Sequence, residues 1–350
     1  MGARLANLMW TWRLATKVDA RTLVFWPPMD DYYGEIAGVG DIIDLYHLAT
    51  APIRDEIQIL DCRPADMFVP NLIDLNPRKA CFPERYLVSP PGTYRTKTPL
   101  PVLESASGPL LVAGESKKAV AAEARELFAR LPLRDVILRS LKAARREYRP
   151  KGLVALHVRR GDIVEVLKAA GAEFEPEALE AGSVLDRYTE HFFRACAPVE
   201  TYCRALQPYL DRGLNVLLFS DTPEMEAPFI ERFGDRVVLA RELAPPILTG
   251  LQQAMFELLL MSACGIIIGT KSTFGLLASV VGKAYFVDAR NDATPAEFIA
   301  AYRQAIRFPQ LAAVARAGVG EVLARKLREN GFLATWRLAE DDIPALLRGA

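Results

Sequence analysis

The sequence predicts an α/β fold built on a parallel, doubly wound sheet, and three observations support that prediction. After residue 150, short β-prone segments alternate with helical segments. Those β-prone segments are apolar, which is typical of strands buried inside a parallel sheet. Three of them end in a polar loop, the position at which such sheets bind ligands. With 350 residues and 51% hydrophobic content, the chain is long enough for two domains.

Charge and cysteine content exclude several classes of protein. The 43 Lys and Arg residues balance 43 Asp and Glu residues, so no global field favours a nucleic acid or an acidic membrane as a partner. The five cysteines are an odd number without CxxC spacing, which indicates a reducing compartment rather than a disulfide framework or a zinc site. Met1–Ala15 lacks the pattern of a signal peptide, and no apolar stretch is long enough to span a membrane. The expected location is cytoplasmic.

Residues 1–149 are predicted to form the first domain. A Gly-led turn at Gly2–Met9 leads into a helix over Trp10–Val18. The segment from Glu115 to Tyr148 is helical with a break near Pro132, and Arg149–Gly152 marks the domain boundary. The predicted strands are Thr22–Trp26, Ile57–Leu60, Tyr86–Ser89 and Pro109–Ala113.

Residues 150–350 are predicted to form the second domain. Its predicted strands are Leu153–Val158, Asn215–Phe219, Val237–Ala240, Gly265–Gly269 and Ala284–Val287. Its predicted helices are Leu185–Ala195, Thr201–Asp211, Gly250–Cys264 and Leu276–Val281, with helical tails over Pro295–Gly318 and Val319–Gly331. Because parallel strands need a crossover between them, this alternation predicts a parallel sheet.

Three polar loops at the carboxyl ends of predicted strands are the candidate site. They are His157–Asp162, Ser220–Glu224 and Thr270–Gly275, and they converge if the sheet is parallel. The second has the residue order of a helix cap followed by Pro at the first helical turn, so simple capping is an alternative for it. Capping is also an alternative for the third, although its hydroxyl groups at a helix start suit a phosphate.

The first of these loops has the composition of an anion site. Two adjacent arginines, Arg159 and Arg160, follow His157, and guanidinium groups pair with phosphate oxygens in bidentate fashion. A surface salt-bridge network is the alternative interpretation of these arginines.

A further acid, Glu257, lies among apolar residues outside the three loops. It is either buried with a partner or on the solvent face of an amphipathic helix.

No metal or cofactor motif accompanies these loops. The three histidines show no HExxH or HxH spacing, and the sequence contains neither an Asp-x-Asp pair nor a GxxxxGK[ST] loop. A bound sugar nucleotide would therefore depend on arginine and helix dipoles, rather than on a metal, to neutralise its diphosphate.

The three loops resemble the motifs of one enzyme superfamily. His157–Asp162 resembles the His-x-Arg-Arg-Gly-Asp motif of the α1,2-fucosyltransferases and of the related α1,6- and protein O-fucosyltransferases. Phe219–Glu224 resembles the second motif of that family, and Glu257 followed by Ile266–Gly275 resembles the third. The opening Gly2–Asn7 is similar to the Gly-x-x-Leu-Gly-Asn turn of the family, with alanine in place of the second glycine.

The resemblance implies a GT-B fold, in which two Rossmann-like domains enclose a nucleotide-sugar cleft. Residues 1–149 would be the acceptor-side domain, and residues 150–350 the nucleotide-sugar-binding domain with a helical tail. The implied activity is inverting, metal-independent transfer of fucose from GDP-fucose to a hydroxyl of a glycan or glycoconjugate. Two alternatives stay open: a GT-B enzyme that uses a different nucleotide sugar, and a catalytically silent nucleotide-binding module.

The resemblance also implies a role for individual residues. Arg159 would contact the β-phosphate and stabilise the departing GDP. Asp162 is a catalytic candidate, because the general base is open among Asp30, Asp31, Glu35 and Asp162. Glu257 would accept hydrogen bonds from guanine. The residues implied to bind the nucleotide sugar are His157, Arg160, Asp221, Glu257, Ser272, Thr273, Phe274 and Asn7.

Overall fold

A computed structural model describes most of the chain and divides it into two compact units. The described residues are 1–17, 22–26, 29–30, 36–60, 93–95, 101–103, 115–159, 189, 192–193, 196–221, 223–305 and 311–349. Unit 1 consists of Met1–Lys151, Ala240–Gly265 and Thr273–Ala284, and unit 2 consists of Gly152–Leu239, Ile266–Ser272 and Tyr285–Ala350. The domain boundary expected near residue 150 stays a prediction.

The helices and strands are numbered in chain order. The helices are α1 Gly2–Lys17, α2 Leu45–Thr50, α3 Lys117–Ala129, α4 Asp135–Tyr148, α5 Val199–Leu210, α6 Ala227–Phe233, α7 Gly250–Ser262, α8 Thr273–Gly282, α9 Pro295–Ala305, α10 Leu311–Glu329, α11 Phe332–Trp336 and α12 Ile343–Gly349. The strands are β1 Thr22–Phe25, β2 Met29–Asp30, β3 Ile36–Ala37, β4 Ile57–Leu60, β5 Thr93–Arg95, β6 Pro101–Leu103, β7 Leu153–Val158, β8 Asn215–Ser220, β9 Val237–Leu239, β10 Ile266–Gly269 and β11 Tyr285–Asp288.

Small strand pairs and helices make up the described part of unit 1. Strands β1 and β4 pair in parallel, β2 pairs with β3 and β5 with β6 in antiparallel fashion. The strands predicted at Thr22–Trp26 and Ile57–Leu60 are confirmed. Those predicted at Tyr86–Ser89 and Pro109–Ala113 lie outside the described residues. The helical segment divides into α3 and α4 around Pro132, as predicted.

Helices α1, α3 and α8 pack together in unit 1. Ala6, Trp10 and Leu14 of α1 follow at intervals of four residues and so lie on one face, where they pack against Val120 and Ala124 of α3.

The start of α1 differs from the prediction. The helix begins at Gly2 rather than at Trp10, so the expected Gly-led turn is the first part of α1.

Unit 2 is organised around a five-stranded parallel sheet in the order β11-β10-β7-β8-β9. Counted from β7 as the first strand and read from the β9 edge, the order is 3-2-1-4-5, which is that of a doubly wound, Rossmann-type sheet. The chain begins in the middle, moves outward to β9 and then returns to the other side of β7. The topological switch point therefore lies between β7 and β10, and the predicted parallel, doubly wound sheet is confirmed.

Burial explains why the sequence forms these strands. Residues 154–158 and 216–219 are buried without interruption, as expected for strands covered on both faces. Val154, Leu156 and Val158 of β7 belong to a core that includes Tyr202 and Leu206 of α5.

Several helix starts in the second half differ from prediction. Helix α10 begins at Leu311 rather than at Val319, so it continues through the predicted break at Gly318. A 3₁₀ turn at Pro223–Met225 follows β8, and α6 begins only at Ala227. Helix α8 begins at Thr273 instead of Leu276, which leaves a loop of three residues after β10. The helix predicted at Leu185–Ala195 lies mostly outside the described residues. None of the described helices combines the length and apolar character needed to cross a bilayer.

Candidate functional site

Two of the predicted site residues of unit 2 meet at the switch point of the sheet. His157 is the penultimate residue of β7 and pairs in register with Gly269 at the end of β10. The hydroxyl oxygen of Ser272 lies 3.2 Å from Nδ1 of His157, and the two residues are 3% and 7% exposed. The predicted convergence of the first and third loops is therefore observed for this pair.

The residues at the end of β10 explain how Ser272 reaches His157. A Cβ atom on Gly269 would lie 3.2 Å from the carbonyl oxygen of His157 and 3.4 Å from its Cβ, so only glycine allows this close approach without displacement. Beyond it, the Ser272 amide donates to the carbonyl of the fully buried Thr270 over 2.6 Å. This tight turn directs the Ser272 side chain back over β7.

Arg159 and Asp221 lie at the same edge of the sheet. Val158 and Ser220, the last residues of β7 and β8, pair in register, and Arg159 and Asp221 follow them directly. Arg159 is half-buried and Asp221 is exposed. The two side chains thus leave the sheet from neighbouring strands at its carboxyl end.

Several predicted residues cannot be placed. Arg160 and Asp162 lie outside the described residues, as do Asp31 and Glu35. Their predicted roles in binding and as general base stay predictions.

A charged cluster that sequence reasoning missed lies beside the His157–Ser272 pair in unit 2. We call it the Lys271 cluster, and it consists of Lys271, Asp288 and Arg290. Asp288 ends β11 and pairs in register with Gly269. Its carboxylate accepts from Arg290 Nε over 2.8 Å and from Arg290 Nη2 over 2.6 Å, while Lys271 Nζ lies 3.8 Å from Oδ2. The signals in the sequence were a lysine inside the third loop and an acid at a strand end.

The N-termini of α1 and α8 meet in unit 1. A Cβ atom on Gly2 would lie 2.9 Å from Phe274 Cα and 3.0 Å from its backbone nitrogen, so the first residue of α1 contacts the first turn of α8. Thr273 and Phe274 are therefore helical residues rather than loop residues. Backbone N–H groups at a helix N-terminus carry partial positive charge, and two such termini favour an anion.

Asn7 and its neighbour belong to the same helix. Asn7 is half-buried on α1, five residues beyond Gly2. Ala6, which stands where the related motif has glycine, is 2% exposed and packs in the core between α1 and α3. The departure from the motif thus contributes to packing.

Glu257 is half-buried on α7 of unit 1, among neighbours that are fully buried. Its Oε1 accepts from Gln253 Nε2 over 3.0 Å, one helical turn earlier. Glu257 thus lies between the two alternatives: it has a side-chain partner on its own helix and it is half-buried.

The described cysteines are unreactive by their surroundings. Cys196, Cys203 and Cys264 are free and buried. Burial raises the pKa of the Cys203 thiol and raises the pKa of Cys264 to about 12. The thiols of Cys203 and Cys264 are therefore protonated at neutral pH and are not nucleophiles. In the part of the chain that the structure describes, no three His, Cys, Asp or Glu side chains are grouped so that they could hold a metal.

Comparisons with known proteins give distant structural likenesses. No family model matches the chain, and no curated protein matches it. A fucosyltransferase NodZ structure from Bradyrhizobium is 18% identical, covers 49% of this chain and 48% of its own, and has a TM-score of 0.30. The α-1,6-fucosyltransferase NodZ soaked with GDP-fucose is 17% identical, covers 46% and 47%, and has a TM-score of 0.29.

A second group of structures covers more of the chain. The apo form of POFUT1 is 13% identical, covers 82% of this chain and 94% of its own, and has a TM-score of 0.42. The chain spans about half the length of the NodZ structures. The chain is thus similar to fucosyltransferase structures, and at TM-scores below 0.5 this likeness adds no argument about its activity.

Proposed function

We propose that the chain is a glycosyltransferase that transfers fucose from GDP-fucose to a hydroxyl of a glycan or glycoconjugate, with inversion and without a metal ion. The observation that carries the proposal is the buried His157–Ser272 contact at the switch point of the sheet, with Arg159 directly beyond the same edge. Doubly wound sheets bind their ligands at this point. The sequence motifs at these residues, which resemble those of fucosyltransferases, supply the identity of the donor.

Arg159 has the chemistry that the reaction needs. When the sugar leaves GDP, negative charge develops on the β-phosphate, and a guanidinium in a partly buried position stabilises that charge strongly. The half-buried Arg159 follows the central strand β7 and meets this condition. We assign it the stabilisation of the leaving GDP, and we assign Asp162, Asp30, Asp31 and Glu35 as the candidates for the general base.

Each unit, taken by itself, contains hydrogen-bond donors that suit a phosphate. In unit 2, the Ser272 hydroxyl is held by His157, so its orientation is set before a ligand binds. In unit 1, Thr273 and Phe274 form the first turn of α8, whose N–H groups and dipole favour a phosphate. These groups support a reaction that proceeds without a metal.

The proposed recognition of guanine depends on Glu257. A carboxylate can accept two hydrogen bonds from the N1–H and N2–H₂ groups of guanine, which neither adenine nor uracil offers. Glu257 is half-buried and has Gln253 as a partner that holds its position.

The proposed location of the protein is the cytoplasm. The free thiols of the described cysteines support this location, because disulfides are rare in that compartment.

The first test compares two arginine variants. We expect Arg159→Ala to lower the turnover of GDP-fucose in the presence of saccharide acceptors by about 10²-fold or more, since one preorganised donor is typically worth that much. The matched control is Arg212→Ala, because Arg212 is exposed in the loop after α5 of the same unit. The measurement is release of GDP and formation of fucosylated product, with and without EDTA. Equal rates for both variants, or a rate that EDTA abolishes, would contradict the proposal.

The second test concerns the donor. A ligand that binds only the folded state raises the melting temperature, so GDP should stabilise the protein while UDP and ADP should not. Stabilisation by UDP or ADP alone would assign a different nucleotide sugar. Stabilisation by GDP with no release of GDP from GDP-fucose would assign a nucleotide-binding module without activity.

A further inference from the structure

We propose that Lys271 is an additional phosphate-binding residue, whose ammonium leaves Asp288 and pairs with the diphosphate of the bound nucleotide. This inference rests on the proposed function, since it concerns the same donor. Three features of the Lys271 cluster support it: its position, its exposure and its charge balance.

Lys271 lies in the loop that follows β10, at the carboxyl edge of the sheet. Three residues connect β10 to α8, and the outer two, Thr270 and Ser272, are 0% and 3% exposed. Lys271 lies between them with a side chain that is 62% exposed. The backbone that carries this lysine is therefore fixed next to the His157–Ser272 pair, while its charged end is in solvent at the carboxyl edge of the sheet.

The cluster contains two positive charges, on Arg290 and Lys271, and one negative charge, on Asp288. Asp288 is 8% exposed and receives two side-chain hydrogen bonds from Arg290, which is 2% exposed, and a third from the Arg290 backbone over 3.1 Å. Arg290 Nη1 also donates to the carbonyl of Phe193. The carboxylate is thus satisfied within the buried pair. Lys271, at 3.8 Å, is beyond hydrogen-bonding distance and adds a second cation to a single anion.

Because the contact with Asp288 is weak, little free energy is needed to move the Lys271 ammonium away from it. Its flexible four-carbon stem allows the ammonium to move by several ångströms, whereas Asp288 keeps Arg290 as its counter-charge. A diphosphate carries negative charge that a strongly hydrated point charge such as an ammonium can meet from many directions. In a site without a metal, such a cation would share the neutralisation of the phosphates with Arg159.

The test measures affinity for ligands that differ only in phosphate number. We expect Lys271→Ala to raise the Kd for GDP about tenfold, to raise the Kd for GMP less, and to leave the Kd for guanosine unchanged, because only the phosphates interact with the ammonium. Lys271→Arg should keep most of the GDP affinity, since it keeps the charge. At 1 M salt the difference between wild type and Lys271→Ala should shrink, because an exposed charge is screened. Lys142→Ala, an exposed lysine on α4, is the control.

The outcomes separate this inference from the proposed function. If the wild-type protein binds GDP and Lys271→Ala binds it equally well, the role of Lys271 is overturned while the proposed function stands. A loss that is the same for GDP, GMP and guanosine would also overturn it, because it would indicate general damage to the nucleotide pocket. If the wild-type protein does not bind GDP, the proposed function fails and this inference fails with it.

Discussion

Two charged clusters of the molecule contain the same kinds of side chain in different proportions. The Arg13 cluster of unit 1 consists of Arg13, Lys17, Glu115 and Glu123. Arg13, 1% exposed, lies 2.7 Å from Glu123 and also contacts Glu115, while Lys17 Nζ lies 2.6 Å from Glu123 and 3.5 Å from Glu115. The described contacts therefore pair two cations with two carboxylates. The Lys271 cluster of unit 2 pairs two cations, Lys271 and Arg290, with one carboxylate, Asp288.

The difference matches the roles that we propose: the Arg13 cluster stabilises the fold, and the Lys271 cluster binds a phosphate. Carboxylates that match the cations in number satisfy them within the protein, and the cluster then connects α1 to α3 beside their shared apolar core. An excess cation at the carboxyl end of a parallel sheet is available to an anion from solution. The number of opposite charges around an arginine or lysine is thus more informative than the residue itself.

The largest expected effect is on the Arg13 cluster. Replacing Arg13 by methionine keeps much of the buried volume but leaves Glu115 and Glu123 with only Lys17 as counter-charge. We expect a loss of about 2 to 4 kcal/mol in the free energy of unfolding, at the lower end for buried pairs because both carboxylates are partly exposed. Urea denaturation of Arg13→Met and of Lys271→Ala measures the contrast. Equal stability of Arg13→Met and wild type would remove the structural role of this cluster.

A second contrast concerns two glycines that hold the ends of α8. A Cβ atom on Gly282 would lie 1.7 Å from the carbonyl oxygen of Ser262, so Gly282→Ala forces α7 and α8 apart at a cost of about 1 to 3 kcal/mol. A Cβ atom on Gly2 would lie 2.9 Å from Phe274 Cα, so Gly2→Ala shifts the two helix N-termini of unit 1 that we propose as phosphate-binding groups.

The two glycine variants should therefore differ in what they change. We expect Gly2→Ala to raise the Kd for GDP about tenfold, since small misplacements of binding groups have effects of this order or larger. Gly282→Ala should lower the melting temperature and leave the Kd of the folded fraction near the wild-type value. Calorimetric titration with GDP, together with thermal unfolding of each variant, measures both quantities. The same change in Kd for both variants would show that the helix N-termini have no special role.

The sheet was the part of the fold that the sequence predicted best. Strands β7 and β8 were predicted within one residue, because an apolar run buried on both faces is followed directly by a charged residue, Arg159 or Asp221. His157 and Ser272 were found for the same reason, since they lie where such runs end. Helix starts were predicted less well. Ser, Thr and Gly occur both in loops and in first helical turns, so the start of α8 at Thr273 left no distinct signal.

Two ion-pair contacts, Lys271 with Asp288 and Arg13 with Glu123, could not be predicted from the sequence. Lys271 and Asp288 meet only because β10 and β11 pair in a register that places Gly269 opposite Asp288. Arg13 and Glu123 are separated by 110 residues and meet through the packing of α1 on α3. A sequence shows that an arginine is present, whereas the number of carboxylates around it depends on tertiary structure.

The smallest expected effect concerns the ion pair between Arg204 of α5 and Glu297 of α9. Like the Arg13 cluster it has equal numbers of positive and negative charges, but its side chains are more exposed. Arg204 Nη1 and Nη2 donate to Glu297 Oε1 and Oε2 over 2.7 and 2.8 Å, and the side chains are 41% and 32% exposed. These hydrogen bonds, with smaller contributions from Thr294, lower the pKa of Glu297 from 4.5 to about 2. Because the folded state holds the carboxylate in its charged form, the stabilisation is present above pH 4.5 and is lost as the pH falls toward 2.

Solvent screening keeps this contribution small, so we expect Glu297→Gln to lower the free energy of unfolding by at most about 1 kcal/mol at pH 7. The difference between wild type and variant should decrease as the pH is lowered from about 4.5 to 3, because the wild-type carboxyl then gains in the unfolded state the proton that it resists in the folded state. Urea denaturation at pH 7, 4.5 and 3 measures it. If this difference in free energy of unfolding stays constant over the pH range, the charge of Glu297 does not contribute to stability, and hydrogen bonding alone connects α5 to α9. The pair would then differ from the Arg13 cluster in its burial and not in its charge balance.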